Sequence, residues 1–225
     1  MEITILNKKI SLEVIIGNIF RLFFVGIVIG SIINQNWFNL FTAILALALT
    51  YLPFFIAQKK RIYIPASFQV VILAFIFAAM YLGELYQYYD KFWWWDLMLH
   101  SLSGVILGFV GFILVYVLNR EKRVKVILSP LFVAFFSISF AVTVGVLWEI
   151  FEFSADEIFG LNSQRWTRTG VVDTMWDLIV DFFGGLLIGI LGYFYLTKNQ
   201  PSFFKRAVKV FIDTNKELFS KRRKK

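Results

Sequence analysis

The chain contains no cysteine and a single histidine among its 225 residues. The absence of cysteine excludes disulfide bonds, thiolate catalysis and cysteine-ligated metal sites. Any metal site must therefore use oxygen and imidazole ligands. The chain also lacks a hydrophilic stretch between its apolar segments that is long enough to fold separately, so we expect one bundle domain. No A-x-A-like pattern follows the first apolar run, and we expect no cleaved signal peptide.

Apolar residues dominate the composition. They make up 59% of the chain, with a mean hydropathy of +0.71, whereas soluble domains hold roughly 45–50%. Six stretches approach or exceed the roughly 20 residues needed to cross a bilayer, at 14–33, 37–57, 67–87, 95–118, 126–153 and 174–196. We predict an all-α, polytopic transmembrane bundle of six spans in the inner or plasma membrane. The predicted parts are an N-terminal segment (1–13), the transmembrane domain (14–196) and a C-terminal tail (197–225).

Lysine and arginine are distributed unequally between the segments that flank these spans. Nineteen fall in 8–9, 59–61, 120–125 and 198–225, whereas only Lys91, Arg165 and Arg168 fall on the opposite side. Cytoplasmic segments of membrane proteins carry the excess of positive charge. The sequence therefore predicts that both termini are cytoplasmic.

The C-terminal tail combines apolar and basic residues at helical spacing. Phe203, Phe204 and Phe211 alternate with Lys205 and Arg206, and the chain ends in an unbroken basic run at 221–225. This pattern favours a basic amphipathic helix on the inner leaflet with anionic headgroups as partners. We expect no nucleic-acid binding, because no aromatic or glycine-rich recognition module accompanies the basic run.

Seven ionisable residues lie in or beside three of the predicted spans. They are Asp96 and His100, Glu149 and Glu152, and Asp173, Asp177 and Asp181. Within each set the residues are three or four apart and share one helix face. Charged side chains cost about 2.5–3.5 kcal/mol each at the centre of a membrane helix, and they usually mark a functional site. In the predicted topology all three sets lie toward the external end of the bundle.

Small residues continue each of these faces at four-residue spacing. Gly104 and Gly108 follow His100, Gly185 and Gly189 follow Asp181, and Ala141 and Gly145 precede Glu149. Such residues let membrane helices approach closely. We therefore expect the three faces to meet and the acids to converge into one site.

Six carboxylates and one imidazole cannot all stay charged in a small apolar volume unless a cation compensates them. Asp, Glu and His ligands suit Zn, Mn or Fe, and Mg with more oxygen ligands, although protons also compensate carboxylates. We interpret Asp96, His100, Glu149, Glu152, Asp173, Asp177 and Asp181 as metal ligands, with Glu149 and Asp177 as the catalytic candidates. Asp96 and Asp173 have an alternative role at helix N-termini, and a lone histidine in an apolar span is more often a core residue.

The external segment before the last span is polar and contains Arg165 and Arg168. Their planar guanidinium groups suit the binding of a phosphate or lipid headgroup. Neutralisation of the neighbouring acids, or anchoring at the membrane interface, is the alternative.

Three ordered motifs resemble the YjdF-like family of bacterial inner-membrane proteins. They are a D-x-x-x-H-x-x-x-G run from Asp96 to Gly104, an E-x-x-E pair at Glu149 and Glu152, and a D-T-x-W-D run from Asp173 to Asp177. The resemblance covers residues 96–196 and departs from the family pattern at Val171, where an acid is expected. The resemblance supports the acidic residues as a site, but it implies no particular reaction.

The sequence thus favours a divalent-metal-dependent hydrolase or transferase that acts on a phosphate-containing or lipid-linked substrate at the outer leaflet. A proton- or cation-coupled transporter is the first alternative, but below Asp181 the last span carries only aromatic, aliphatic and glycine residues. A membrane protein that binds a lipid or a partner without chemistry is the second.

Overall fold

The structure is a computed structural model that describes residues 2–5, 8–52, 55, 58, 62–119, 128–160, 164, 170–198 and 203–216. Side chains are described from Val14 onward, except at positions 38 and 159. The fold is almost entirely helical, which confirms the predicted all-α membrane class. The chain divides into two compact units, Met1–Trp95 with Val210–Lys224, and Asp96–Lys209.

The first unit begins with a short antiparallel hairpin of β1 (Glu2–Ile5) and β2 (Lys8–Ser11). Its helices are α1 (Leu12–Ile33), α2 (Trp37–Thr50), α3 (Ala66–Ile76) and the short α4 (Tyr88–Lys91). A π-helical segment, Phe77–Leu85, continues α3 directly. The sequence did not predict the hairpin, because its alternation is brief and it lies in a segment without a long apolar run.

The core of the first unit forms where α1, α2 and α3 pack together. Phe24, Ala46 and Ile76 are buried at its centre, and Phe77 and Tyr81 pack against them. Arg21, inside the first span, turns its guanidinium toward the end of α2, where Nη2 donates to the Thr50 carbonyl at 3.2 Å. A cation at a helix C-terminus complements the helix dipole, so Arg21 stabilises the end of α2.

The second unit contains three long helices, α5 (Trp95–Leu118), α6 (Pro130–Phe159) and α7 (Val171–Lys198). The helix α6 starts later than predicted because Ser129 caps it, accepting the Phe132 N–H at 3.2 Å, and Pro130 occupies its first position. It ends later than predicted, at Gly160, which adopts φ +66° and lets its N–H bond to the Asp156 carbonyl.

Among the described residues, five helices are long and apolar enough to cross a membrane, namely Val14–Ile33, Ala66–Leu85, Trp95–Leu118, Pro130–Ile158 and Val171–Lys198. They agree with five of the six predicted spans and with a multi-pass membrane protein. The remaining predicted span is the second in chain order, 37–57. The structure has the 14-residue α2 there, and the rest of the span lies partly outside the described residues. The count of six spans stays a prediction.

The tail forms the helix α8 (Phe203–Thr214). Three of its apolar residues, Phe204, Val208 and Phe211, are buried, whereas Phe203 and Val210 are exposed, and the predicted contact of the tail with the inner leaflet stays a prediction. Phe204 packs edge-on against Phe112, with ring centroids 4.9 Å apart. Arg206 and Lys209 stay exposed, and the basic run 221–225 lies outside the described residues.

Candidate functional site

The acidic residues singled out from the sequence come from three helices of the second unit. The helix α5 carries Asp96 and His100 in its first two turns, α6 carries Glu149 and Glu152 in its second half, and α7 carries Asp173, Asp177 and Asp181 in its first half. Asp96 and Asp173 lie inside the first turns of their helices and not at the N-cap position.

Glycines bring these helices into close contact, as their spacing predicted. A Cβ atom at Gly104 would lie 2.5 Å from the Asp181 carbonyl oxygen, and one at Gly184 would lie 2.7 Å from the Ser101 carbonyl oxygen. Between α6 and α7, a Cβ at Gly185 would lie 2.9 Å from Ala141 Cβ. Backbone therefore packs directly on backbone, and the acids on α7 are drawn toward both neighbours.

His100 is held from one side by Asp181. The ring atom Nδ1 lies 3.2 Å from Asp181 Oδ2, and the hydroxyl of Ser103 lies 2.7 Å from Asp181 Oδ1. Ser103 Oγ also lies 2.8 Å from the His100 carbonyl, and the carboxylate is the stronger acceptor of its single proton. Because a carboxylate accepts, these contacts assign a proton to Nδ1 and direct Nε2 to the opposite side.

The Nε2 side of the ring faces carboxylates. Asp96 Oδ1 lies 3.8 Å and Glu149 Oε1 lies 3.7 Å from Nε2. One ligand atom each from Asp96, His100 and Asp177 lie within 4.8 Å of one another. Ligand atoms of a tetrahedral ion at bond lengths of about 2.0–2.2 Å lie roughly 3.3–3.6 Å apart, so these side chains would have to close by about 1 Å to bind one ion.

Several of these carboxylates are almost completely withdrawn from solvent. Glu149 is 5% exposed, Asp177 is 3% exposed and Asp181 is fully buried. In the part of the chain that the structure describes, Glu149 Oε1 and Asp177 Oδ1 are buried without a hydrogen-bond donor. A buried oxygen without a donor costs about 1–3 kcal/mol, and more when it is charged. A further binding partner that interacts with these two oxygens would therefore lower the free energy of the site.

Glu152 and Asp173 lie at the edge of the cluster. Glu152 interacts electrostatically with Asp96 and Glu149, but its Oε1 accepts the indole N–H of Trp148 at 2.9 Å. Asp173 interacts with Asp177 one turn below it on α7. Both are half-buried, so they border the site from its more accessible end.

Three polar residues near the site went unnoticed in the sequence, namely Ser103, Gln164 and Thr174. The side chain of Gln164 donates to Thr174 Oγ1 at 3.1 Å, and its backbone N–H donates to Asp156 Oδ2 at 3.0 Å. No local signal identified Ser103, because a small residue beside Gly104 is also what plain helix packing requires. Arg165 and Arg168 lie outside the described residues.

The arrangement places an imidazole nitrogen and several carboxylates around one small, mostly buried volume. A neutral Nε2 directs its lone pair at anionic oxygens, which is repulsive, whereas a proton on Nε2 or a cation between the groups removes the repulsion. The residues present are ligand types that bind divalent ions in proteins.

The family comparison adds an assignment to this geometry. Residues 16–198 match the family described as "Predicted membrane protein (DUF2238)". The chain belongs to this family. The match includes every helix that carries the cluster, and it agrees with the uncharacterised membrane family expected from the sequence motifs, while the YjdF-like name itself stays a prediction.

One relative is an uncharacterised protein from Thermotoga maritima, 29% identical over 123 residues. That match covers 54% of this chain and 59% of the relative, so the chain spans about three-fifths of the relative's length. No solved structure matches the chain.

Proposed function

We propose that this DUF2238 member is a divalent-metal-dependent membrane enzyme, with Asp96, His100 and Asp177 as the protein ligands of the ion. The observation that carries the proposal is the convergence of one ligand atom from each of these residues within 4.8 Å, from two different helices. Two carboxylates and one imidazole suit Zn, Mn or Fe, and Mg if water completes the coordination.

The buried oxygens favour a cation over a purely structural cluster. Glu149 Oε1 and Asp177 Oδ1 are buried without donors in the described part of the chain, and both border the volume where the ion would lie. A divalent ion would compensate this concentration of negative charge more completely than a single proton on His100.

Three protein ligands leave coordination positions open, which is typical of catalytic rather than structural ions. A divalent ion there would activate water and polarise a phosphoryl oxygen. Glu149 lies 3.7 Å from His100 Nε2 without binding it, so its Oε1 is placed to accept a proton from a water molecule in the site. Hydrolysis or transfer of a phosphate-containing or lipid-linked group is the reaction class that fits these parts.

The orientation and substrate are further parts of the proposal. Six spans with cytoplasmic termini would open the cluster toward the outer leaflet, as the basic-residue asymmetry favours. Arg165 and Arg168 belong to the segment between α6 and α7, on the same end as the acids, and would bind the anionic headgroup. The exposed basic residues of the tail would contact anionic lipid headgroups on the other face.

A cation- or proton-coupled transporter is the second candidate, because buried acids and a histidine also serve such proteins. Transport requires a polar path past Asp181. In the described residues of the second unit, Gly108, Gly185 and Gly189 pack against neighbouring helices at Cβ distances of about 3 Å immediately below the cluster. The packing favours a site that is closed at its inner end.

Elemental analysis of the purified full-length protein tests the proposal. Wild type should contain one of Zn, Mn, Fe or Mg bound in a fixed ratio, and Asp177→Asn should contain none, because the change deletes a ligand. Asp213→Asn, an exposed acid on α8, is the matched control and should keep the ion.

Thermal unfolding with and without added ions, together with vesicle assays, separates the candidates. Wild type and Asp213→Asn should gain stability with the bound ion, and Asp177→Asn should not. If neither wild type nor variants respond to any divalent ion, while proton or cation flux into vesicles depends on Asp177, the transporter replaces the enzyme.

A further inference from the structure

We infer that Asp181 and Ser103 form a positioning pair that fixes the His100 ring, and that Asp181 does not itself bind the ion. The inference rests on the proposed metal site and deepens it, since it separates the residue that aims the histidine from the residues that hold the metal. It assigns a role to Ser103, which no sequence pattern indicated.

Both oxygens of Asp181 already have partners. Oδ1 accepts the Ser103 hydroxyl at 2.7 Å, and Oδ2 accepts His100 Nδ1 at 3.2 Å. Asp177 and Glu149 differ, because each keeps one buried oxygen without a donor in the described residues. A carboxylate engaged at both oxygens has less capacity to serve as a ligand than one with a free oxygen.

The position of Asp181 is fixed by backbone packing. Its carbonyl and Cα lie against Gly104 on α5, and its Oδ2 lies against Gly145 on α6. The residue is fully buried. Since neither neighbour has a side chain that can move aside, the carboxylate is confined to a position beside His100 Nδ1.

These contacts fix the orientation of the His100 ring. With a proton on Nδ1 held by Asp181, Nε2 is the nitrogen directed at Asp96 and Glu149, and it is the one that would offer its lone pair to the proposed ion. Metal-bound histidines usually donate their second nitrogen to a carboxylate in this way, which fixes the tautomer and raises ligand basicity. Ser103 completes the arrangement from the same helix as His100.

The test measures ion affinity, the geometry of bound Co²⁺ and the protonation of the ring. Asp181→Asn and Ser103→Ala should both keep the ratio of ion to protein and the visible absorption spectrum of bound Co²⁺. Asp181→Asn should weaken ion affinity by about 10–100-fold, and Ser103→Ala should weaken it by a smaller factor. Ser103→Thr should restore affinity, because it returns a hydroxyl. Ser137→Ala is the matched control and should leave affinity unchanged, because Ser137 is a buried serine on α6 whose hydroxyl donates to the Val133 carbonyl at 2.8 Å.

Nitrogen NMR gives a readout that needs no metal. Because His100 is the only histidine, its two ring nitrogens are assigned without variants. In the metal-free protein Nδ1 should carry a proton protected from exchange, and this protection should decrease in Ser103→Ala.

Different results would contradict the positioning role of Asp181 and Ser103 and the proposed metal site. Loss of the ion from Asp181→Asn, a changed Co²⁺ spectrum in that variant, or an Nδ1 without a proton would overturn the inference. If wild type binds no divalent ion but Nδ1 is protected and responds to Ser103→Ala, the positioning pair stands and the proposed metal function fails.

Discussion

A Cβ atom at Gly104 would lie 2.5 Å from the carbonyl oxygen of Asp181 and 2.9 Å from its Cα, so α5 and α7 touch through their backbones at the level of the acidic cluster. Real Cβ atoms do not approach backbone this closely. Gly104 directly follows Ser103, and Ser103 donates a hydrogen bond to Asp181. The hydrogen bond between Ser103 and Asp181 therefore depends on the close packing of α5 and α7.

Gly104→Ala should therefore lower the free energy of unfolding by about 1–3 kcal/mol, because an extra methyl group is forced against backbone that cannot yield. Gly30→Ala is the matched control, since a Cβ there meets no atom within 4 Å and alanine favours helix. Thermal unfolding in the same detergent measures both. Equal effects of the two changes would contradict the packing described for α5 and α7.

The variant Glu149→Gln tests whether Glu149 acts as the general base or as a metal ligand. The variant should keep its ion, because Asp96, His100 and Asp177 stay in place, while phosphate release from a lipid phosphomonoester in mixed micelles falls by about 10²–10⁴-fold. Elemental analysis and phosphate determination check the two parts. Complete loss of the ion would identify Glu149 as an indispensable ligand instead.

Asn215→Ala should destabilise the first unit. Asn215 is buried, and its side chain accepts the Tyr63 N–H at 2.7 Å and donates to the Tyr63 carbonyl at 2.8 Å. Truncation leaves two backbone groups without these partners, at about 1–3 kcal/mol for each that stays buried. The exposed Asn34, bonded only to the Gly30 carbonyl, is the control, and thermal unfolding should show a much smaller shift for Asn34→Ala. Similar shifts would refute the role of Asn215.

The topology prediction is tested with tags. Six spans place both termini in the cytoplasm, whereas five would place them on opposite faces of the membrane. Tags at either terminus should be inaccessible from outside intact cells, and a tag inserted at 162–169 should be accessible, because basic residues concentrate on the other side. Labelling of one terminus alone would establish an odd number of spans and withdraw the orientation proposed for the site.

The sequence predicted best where one physical effect dominates. The bounds of α5 agree with the apolar run at 95–118, and the spacing of the glycines correctly predicted which faces of α5, α6 and α7 are in contact. It predicted less where contacts are long-range. Nothing local distinguishes Ser103 from a packing serine, and the burial of Phe204 depends on Phe112, far earlier in the chain. The predicted span 37–57 is not tested over its whole length, because its last residues lie partly outside the described part of the chain.

The glycines on either side of Asp181 also constrain how the protein assembles. Membrane helices insert one by one and associate afterwards, so α7 first meets lipid with Asp177 and Asp181 not yet enclosed. Each such acid weakens insertion by a few kcal/mol near the bilayer centre. The His100 and Ser103 partners are in place only when α5 has docked on α7, so the cluster is complete only after these two helices have associated. Before these helices dock, Asp181 would lie in the membrane without its two hydrogen-bond partners.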